Sequence, residues 1–75
     1  MELTTTISAA EELFMHYKKG MTGSGMTALI DTIFKLDKPN RARIAMGYPD
    51  LVEVCNRYNF EEGYWDDLQR RWQES

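Results

Sequence analysis

This sequence of 75 residues has little of what marks a membrane protein or a secreted protein. No apolar run approaches the roughly 20 residues that a helix needs to cross a bilayer. The beginning of the chain has no basic segment followed by an apolar one, so we expect no signal peptide. The single cysteine, Cys55, cannot form an intramolecular disulfide, and a small domain without disulfides is typical of a reducing compartment. We therefore expect a cytoplasmic protein.

Residues that carry chemistry are also scarce. His16 is the only histidine, and although Glu12 lies one helical turn before it, no second histidine completes a zinc site. Glu62 and Asp66 could share a helix face, but no third ligand or nucleophile follows at a recognisable spacing. The glycines of residues 20–25 lack the lysine ending of a phosphate-binding loop. We expect no catalytic residue, no metal and no cofactor.

The charge of the chain is uneven along its length. The net charge of −3 argues against a general nucleic-acid binder, since such proteins are usually basic. Between residues 35 and 43, however, four basic residues accompany one acidic residue, and between residues 50 and 67 six acidic residues accompany only Arg57. This polarity could orient a partner or a second copy of the chain.

Sequence features typical of helices follow one another along the first half of the chain, and features typical of strands are nearly absent. Ser8 and Glu11 fit a capping box ahead of an apolar stripe at helical spacing, which predicts helix one over residues 8–19. Residues 20–25 contain three glycines and are expected to form a flexible linker. The apolar stripe then returns and predicts helix two over residues 26–36.

The second half of the chain predicts three further helices. Asp37 can cap a short helix three that Gly47 ends, and Pro49 begins helix four. Cys55 lies on the apolar stripe of helix four and is interpreted as a small core residue. Asn59 can cap helix five, which would contain one glycine and carry a large apolar face. The residues of that face are Phe60, Tyr64, Trp65, Leu68 and Trp72.

These elements predict an all-α fold, a compact single domain of four to five short helices packed as an irregular orthogonal bundle. The domain would span residues 1–75, with a tail at residues 1–7 and the flexible linker at residues 20–25. A chain of this length buries only about 60% of the surface that it exposes when unfolded, so we expect a modest stability.

Aromatic residues are concentrated near the C-terminus, where six of the nine lie within the last 28 residues. Large rings often form the core of so small a domain. Tryptophans close to arginines also fit a protein interface, because Trp, Tyr and Arg supply the anchors there. We therefore expect a partner-binding surface in this third of the chain. Its predicted residues are Tyr64, Trp65, Arg70, Arg71 and Trp72.

A helix-turn-helix that binds DNA is the alternative interpretation, because two short helices flank the turn at Gly47 behind a basic stretch. The residues predicted to contact nucleic acid are Lys35, Lys38, Arg41, Arg43, Asn56 and Arg57. Base contacts concentrate near the N-terminus of the recognition helix, however, and there Asp50 and Glu53 would face a polyanion. DNA binding is therefore the second choice.

The sequence as a whole favours a small non-enzymatic interaction protein that docks onto a protein partner and could also form a homo-oligomer. Single acidic domains without motifs are typical of accessory and inhibitor proteins encoded by bacteriophages and mobile elements. We therefore expect an accessory, adaptor or inhibitor function without membrane contact.

Overall fold

Residues 6–74 form five α-helices, and no β-strand occurs among these residues, which are the part of the chain that the computed structural model describes. The helices are α1 (Ala9–Lys18), α2 (Ser24–Lys35), α3 (Lys38–Ile44), α4 (Pro49–Phe60) and α5 (Tyr64–Glu74). The predicted all-α fold is therefore confirmed. The first five residues of the predicted tail lie outside the described residues, and Ile7 packs against the core.

α1 begins and ends as its sequence predicts. The Ser8 hydroxyl accepts from the Glu11 N–H at 3.1 Å, and the Ser8 N–H donates to the Glu11 carboxylate at 3.0 Å, which completes the capping box. After the last turn the chain reverses at Gly20, whose φ of 73° lies in the left-handed region that favours glycine. The Met21 N–H then donates to the His16 carbonyl at 2.8 Å and closes the helix end.

α2 begins at Ser24, two residues before its predicted start. Ser24 and Gly25, which the glycine content assigned to the flexible linker, therefore belong to the first turn of α2. The Thr22 and Thr27 hydroxyls hydrogen-bond at 2.6 Å, which ties the segment before the helix to the first turn. Ile30, farther along α2, is completely buried in the core. Because most helical stability in proteins comes from such packing, the low helix propensity of glycine does not delay the start.

α3 and α4 form a pair that a short turn at residues 45–48 connects. Asp37 caps α3 by accepting from the Asn40 N–H at 3.1 Å, as its sequence position predicts. Pro39 lies in the first turn of α3, and Pro49 lies in the first turn of α4. A proline is tolerated there because the N–H groups of the first turn have no partner within the helix.

The boundary between α4 and α5 differs from the prediction. Asn59 does not cap α5, because Asn59 and Phe60 continue α4, and α5 begins only at Tyr64. Gly63 lies in the turn with a φ of 87°, a conformation that other residues rarely adopt. This glycine therefore separates two helices, whereas the prediction placed it inside helix five.

α4 is the central helix and contacts each of the other four. Cys55 on α4 is 1% exposed and lies in the core, as its place on the apolar stripe predicts. No residue of α3 is buried, so α3 lies at the edge of the bundle and leaves part of α4 open to solvent. The largest fully buried side chains are those of Tyr64, Phe14, Ile30, Ile33, Leu68 and Cys55.

Candidate protein-interaction surface

Two residues predicted to bind a partner lie in the interior of the protein. Tyr64 is 1% exposed and Arg71 is 8% exposed, and both side chains converge on Glu11, which is 6% exposed. The Tyr64 hydroxyl donates to Glu11 Oε2 at 2.7 Å, and the Arg71 guanidinium donates to the two carboxylate oxygens at 3.0 and 2.9 Å. Both side chains therefore join α1 to α5, and burial leaves little of either exposed for contact with a partner.

The surroundings of Glu11 stabilise its negative charge. Hydrogen bonds from Arg71 act most strongly and, with the hydroxyl of Tyr64, outweigh the opposing effect of burial, so the pKa of Glu11 falls to about 2. Arg71 also donates to Asp67 at 2.8 Å and to the Thr6 carbonyl at 2.9 Å. These hydrogen bonds satisfy the buried charges of Glu11 and Arg71. Removal of either charge would leave the other buried without a counter-charge, which would destabilise the fold.

The other three residues predicted to bind a partner lie nearer to solvent. Trp65 and Trp72 are half-buried and pack against the core. Trp65 meets Phe14 edge-on with 6.0 Å between ring centroids, and Trp72 meets His16 edge-on at 5.6 Å. Arg70 is exposed and forms ion pairs with acidic neighbours on α5 itself. The two indole rings therefore contribute to packing and offer only part of their surface to a partner.

Phe60 is a large aromatic side chain that the fold leaves in solvent. It ends α4 with 72% of its surface exposed, and three hollows in the protein surface meet at its ring. The guanidinium of Arg41 on α3 lies 5.8 Å from the ring centroid. A single exposed ring is ordinary on a protein surface, but this ring adjoins apolar hollows, so this part of the surface is a candidate site.

Two of the three hollows lie side by side between α3 and α4 and share lining residues. We call them together the α3–α4 groove. Ala45 and Val52 form its floor, and Phe60 closes one side. The larger hollow has a volume of about 440 Å³ and extends toward Lys38 and Arg41. The groove therefore combines an apolar floor, an aromatic wall and a rim that is basic on the α3 side. On the α4 side the rim contains Glu53 and Glu61 together with Arg57.

The residues predicted to contact nucleic acid divide between two environments. Lys38 and Arg41 lie at the rim of the α3–α4 groove, and Asn56 lines it from α4. Arg57 also lines the groove, and its guanidinium is paired with Glu61, which accepts two of its hydrogen bonds at 2.7 and 3.2 Å. The remaining two residues are exposed and belong to the basic stretch around α3, namely Lys35 and Arg43.

Asp50 and Glu53 lie exposed at the beginning of α4. That end of the second helix is the part that would enter a DNA groove in a helix-turn-helix. Carboxylates at this position would repel the phosphates of DNA, as the sequence predicts.

Among residues 6–74 no group of three or more side chains could hold a metal ion. The Cys55 thiol is buried, and burial raises its pKa to about 11, which suppresses its nucleophilic thiolate form. None of the helices described in residues 6–74 combines the length and apolar character needed to span a membrane.

The sequence interpretation missed Phe60 as a surface residue because it assigned the ring to the apolar face of helix five. That assignment depended on Asn59 as a cap. The signal that could have corrected it is Gly63, since glycine is the residue that most readily adopts the left-handed conformation of turns between helices. Ending the helix before Gly63 would have placed Phe60 in the last turn of α4.

Comparison of the chain with protein-family models, with curated proteins and with solved structures found no match.

Proposed function

We propose that this protein is a small interaction domain that binds an acidic, amphipathic segment of a partner protein in the α3–α4 groove. The observation that carries the proposal is Phe60, a ring that is 72% exposed at the wall of an apolar groove. Burial of a phenylalanine side chain is worth about 1.5–3 kcal/mol, so a partner that covers this ring gains affinity from one contact.

The groove has the composition of an interface anchor. Its floor of Ala45 and Val52 lets an apolar side chain of the partner reach α4, and the adjacent Phe60 ring can cover that side chain from the side. Interfaces typically place such an apolar centre inside a polar rim, and Arg41 at the rim is one of the residue types enriched there.

The charge at the rim selects the chemistry of the partner. Lys38 and Arg41 line the groove, and the basic stretch continues with Lys35 and Arg43 on the exposed surface. A segment with carboxylates on one face and apolar residues on the other would complement the basic α3 side of the rim and the floor, provided that its carboxylates face α3 and not Glu53 and Glu61 on the α4 side. Opposite charges of this kind chiefly accelerate association and exclude wrongly charged partners.

This surface lies on α3 and α4, so the proposed contact differs from the one expected on α5. Burial of Tyr64 and Arg71 supports the change, because neither side chain is accessible. DNA binding through the same basic rim has less support. The carboxylates at the start of α4 and the ion pair of Arg57 with Glu61 leave few groups that could contact bases.

We place the interaction in the cytoplasm, since the single thiol of Cys55 and the lack of a disulfide in this sequence suit a reducing compartment. An adaptor or inhibitor role, of the kind that mobile-element accessory proteins perform, requires only that the groove covers a surface of the partner. The same groove could accept an acidic segment of a second copy of the chain. A measurement of the molar mass in solution distinguishes this case from binding to a different protein.

The test compares partner binding by wild type and Phe60→Ala. Partners are captured from a lysate of the source cells on immobilised wild type, identified, purified and titrated by calorimetry. Phe60→Ala should weaken binding by about 30-fold or more, which corresponds to the roughly 2 kcal/mol of an interface hot spot. Arg41→Glu should slow association and reverse the salt dependence of the rate.

The matched control is Met21→Ala, which changes another exposed apolar side chain that lies away from the groove. This variant should bind like wild type, and all variants should keep the helical circular dichroism spectrum. A partner that binds wild type and Phe60→Ala with equal affinity would overturn the proposal. Light scattering of wild type alone reveals whether the bound segment belongs to a second copy.

A further inference from the structure

The third hollow at Phe60 differs chemically from the α3–α4 groove. It has a volume of about 300 Å³, lies at the turn between α4 and α5, and is named here the α4–α5 hollow. Two aromatic rings, those of Tyr58 and Trp65, form a corner with 5.3 Å between centroids and 83° between planes. The residues that line the hollow with them include Phe60, Glu61, Glu62 and Asp66.

The protein's own lysine shows that this aromatic corner accepts an ammonium group. Lys18 Nζ lies 4.9 Å from the centroid of Tyr58 and 5.5 Å from that of Trp65, and it donates to the Tyr58 hydroxyl at 3.1 Å. A cation is attracted to the electron-rich face of an aromatic ring at such distances. Lys18 does not line the α4–α5 hollow, so the hollow offers a further approach to the same two rings.

Carboxylates at the hollow add negative charge beside the rings. Glu61 is engaged with Arg57 at 2.7 Å. Glu62 and Asp66 are exposed, and neither has an ion-pair partner within the described residues 6–74. An aromatic corner with two available carboxylates has the composition of a site for a cation that carries an alkyl chain.

We propose that the α4–α5 hollow binds an alkylammonium group, the side chain of a lysine that the partner presents next to its contact with Phe60. The alkyl chain would lie along the ring of Trp65, and the ammonium group would lie between Glu62 and Asp66. This inference deepens the proposed function, since it names a second residue of the same partner. The partner segment would then place an acidic residue at α3 and a lysine at the α4–α5 turn.

The test uses the full chain and a small probe, so it does not require the partner. Nα-acetyl-lysine methylamide is titrated into ¹⁵N-labelled protein at constant ionic strength, and the indole N–H of Trp65 is followed by NMR. We expect a saturable shift in the millimolar range, with the Trp72 indole in the same spectrum as an unshifted reference. The neutral analogue Nα-acetyl-norleucine methylamide should produce no saturable shift.

Two variants connect the shift to the carboxylates. Glu62→Gln combined with Asp66→Asn should weaken binding of the lysine probe about fivefold, the loss typical of exposed charge pairs near an aromatic contact. The control is Asp50→Asn, since Asp50 occupies the first turn of α4 as Asp66 occupies the first turn of α5. Binding by the control variant should equal that of wild type.

Choline, titrated in parallel, distinguishes the source of the ammonium group. A tighter Kd for the lysine probe identifies a peptide side chain, whereas a tighter Kd for choline overturns the assignment to lysine. The inference also fails if no saturable shift occurs, if the norleucine analogue shifts Trp65 equally, or if the double variant binds like wild type. Each of these failures leaves the Phe60→Ala result standing, so the two proposals can be judged separately.

Discussion

Glu11→Gln is the substitution with the most definite effect on stability. The buried carboxylate has a pKa of about 2, against 4.5 for an ordinary glutamate, chiefly because Arg71 donates hydrogen bonds to it. At about 1.36 kcal/mol per pKa unit, this difference corresponds to roughly 3 kcal/mol of folding free energy. The substitution keeps the shape of the side chain but leaves the Arg71 guanidinium buried beside a neutral group. We therefore expect the free energy of unfolding at pH 7 to fall by about 3 kcal/mol.

The pH dependence of this effect has a definite sign. Because the pKa of Glu11 is lower in the folded protein than in the unfolded chain, its contribution is fully present above about pH 4.5. The contribution is lost as the pH falls from there toward about 2, where the folded protein also binds the proton. The stability difference between wild type and Glu11→Gln should therefore stay constant between about pH 7 and 5, then shrink. Carboxylates that titrate in both proteins cancel in that difference.

Urea unfolding followed by far-ultraviolet circular dichroism measures this effect. A domain of this size has a free energy of unfolding of about 4–11 kcal/mol, so a loss of about 3 kcal/mol moves the midpoint far outside experimental error. Glu61→Gln is the control, because its ion pair with Arg57 lies on the surface, and its midpoint should change little. Equal midpoints for the two variants, or a difference that does not shrink below pH 4.5, would refute the role of the buried pair.

Two further predictions concern the turn and the core. Gly63→Ala should destabilise the protein by about 1–2 kcal/mol in thermal unfolding, because a side chain strains a residue with positive φ, and no atom within 4 Å of the added Cβ supplies another cause. Gly25→Ala lies within α2, also without a close neighbour, and should instead raise the stability by about 0.5–1 kcal/mol because alanine favours a helix over glycine. Stability changes of the same sign for the two variants would contradict the assigned turn. The Cys55 thiol, with a pKa raised by burial to about 11, should react with iodoacetamide at pH 8 about a hundredfold more slowly in the native protein than in urea. Equal rates in the two conditions would show that the thiol is accessible.

Most helix starts could be predicted from the sequence because their signals are local. The capping box of Ser8 and Glu11 joins residues three apart, and so does the cap from Asp37 to Asn40. The first-turn position of Pro49 likewise follows from the shape of proline alone. Apolar spacing likewise placed Cys55 on a buried stripe, since that pattern depends only on neighbouring residues of one helix.

The candidate site was harder to predict, since its central residue depends on one boundary. Moving the start of helix five from Asn59 to Tyr64 transfers Phe60 from an assumed core face to the exposed end of α4. The competing signals were an asparagine that can cap a helix and a glycine that can end one. The structure decides between them, since α4 continues through Phe60 and Gly63 has a φ of 87° in the turn that follows.

The amino-acid sequence by itself determined that the chain is helical and where most of its helices begin, because caps, prolines and apolar stripes act between residues only a few positions apart. Tertiary structure alone decided which rings and charges are exposed. Glu11 and Arg71 lie 60 residues apart and become partners only when α1 and α5 pack together. The free energy of a buried charge depends on what surrounds it, and the packing of the helices sets those surroundings.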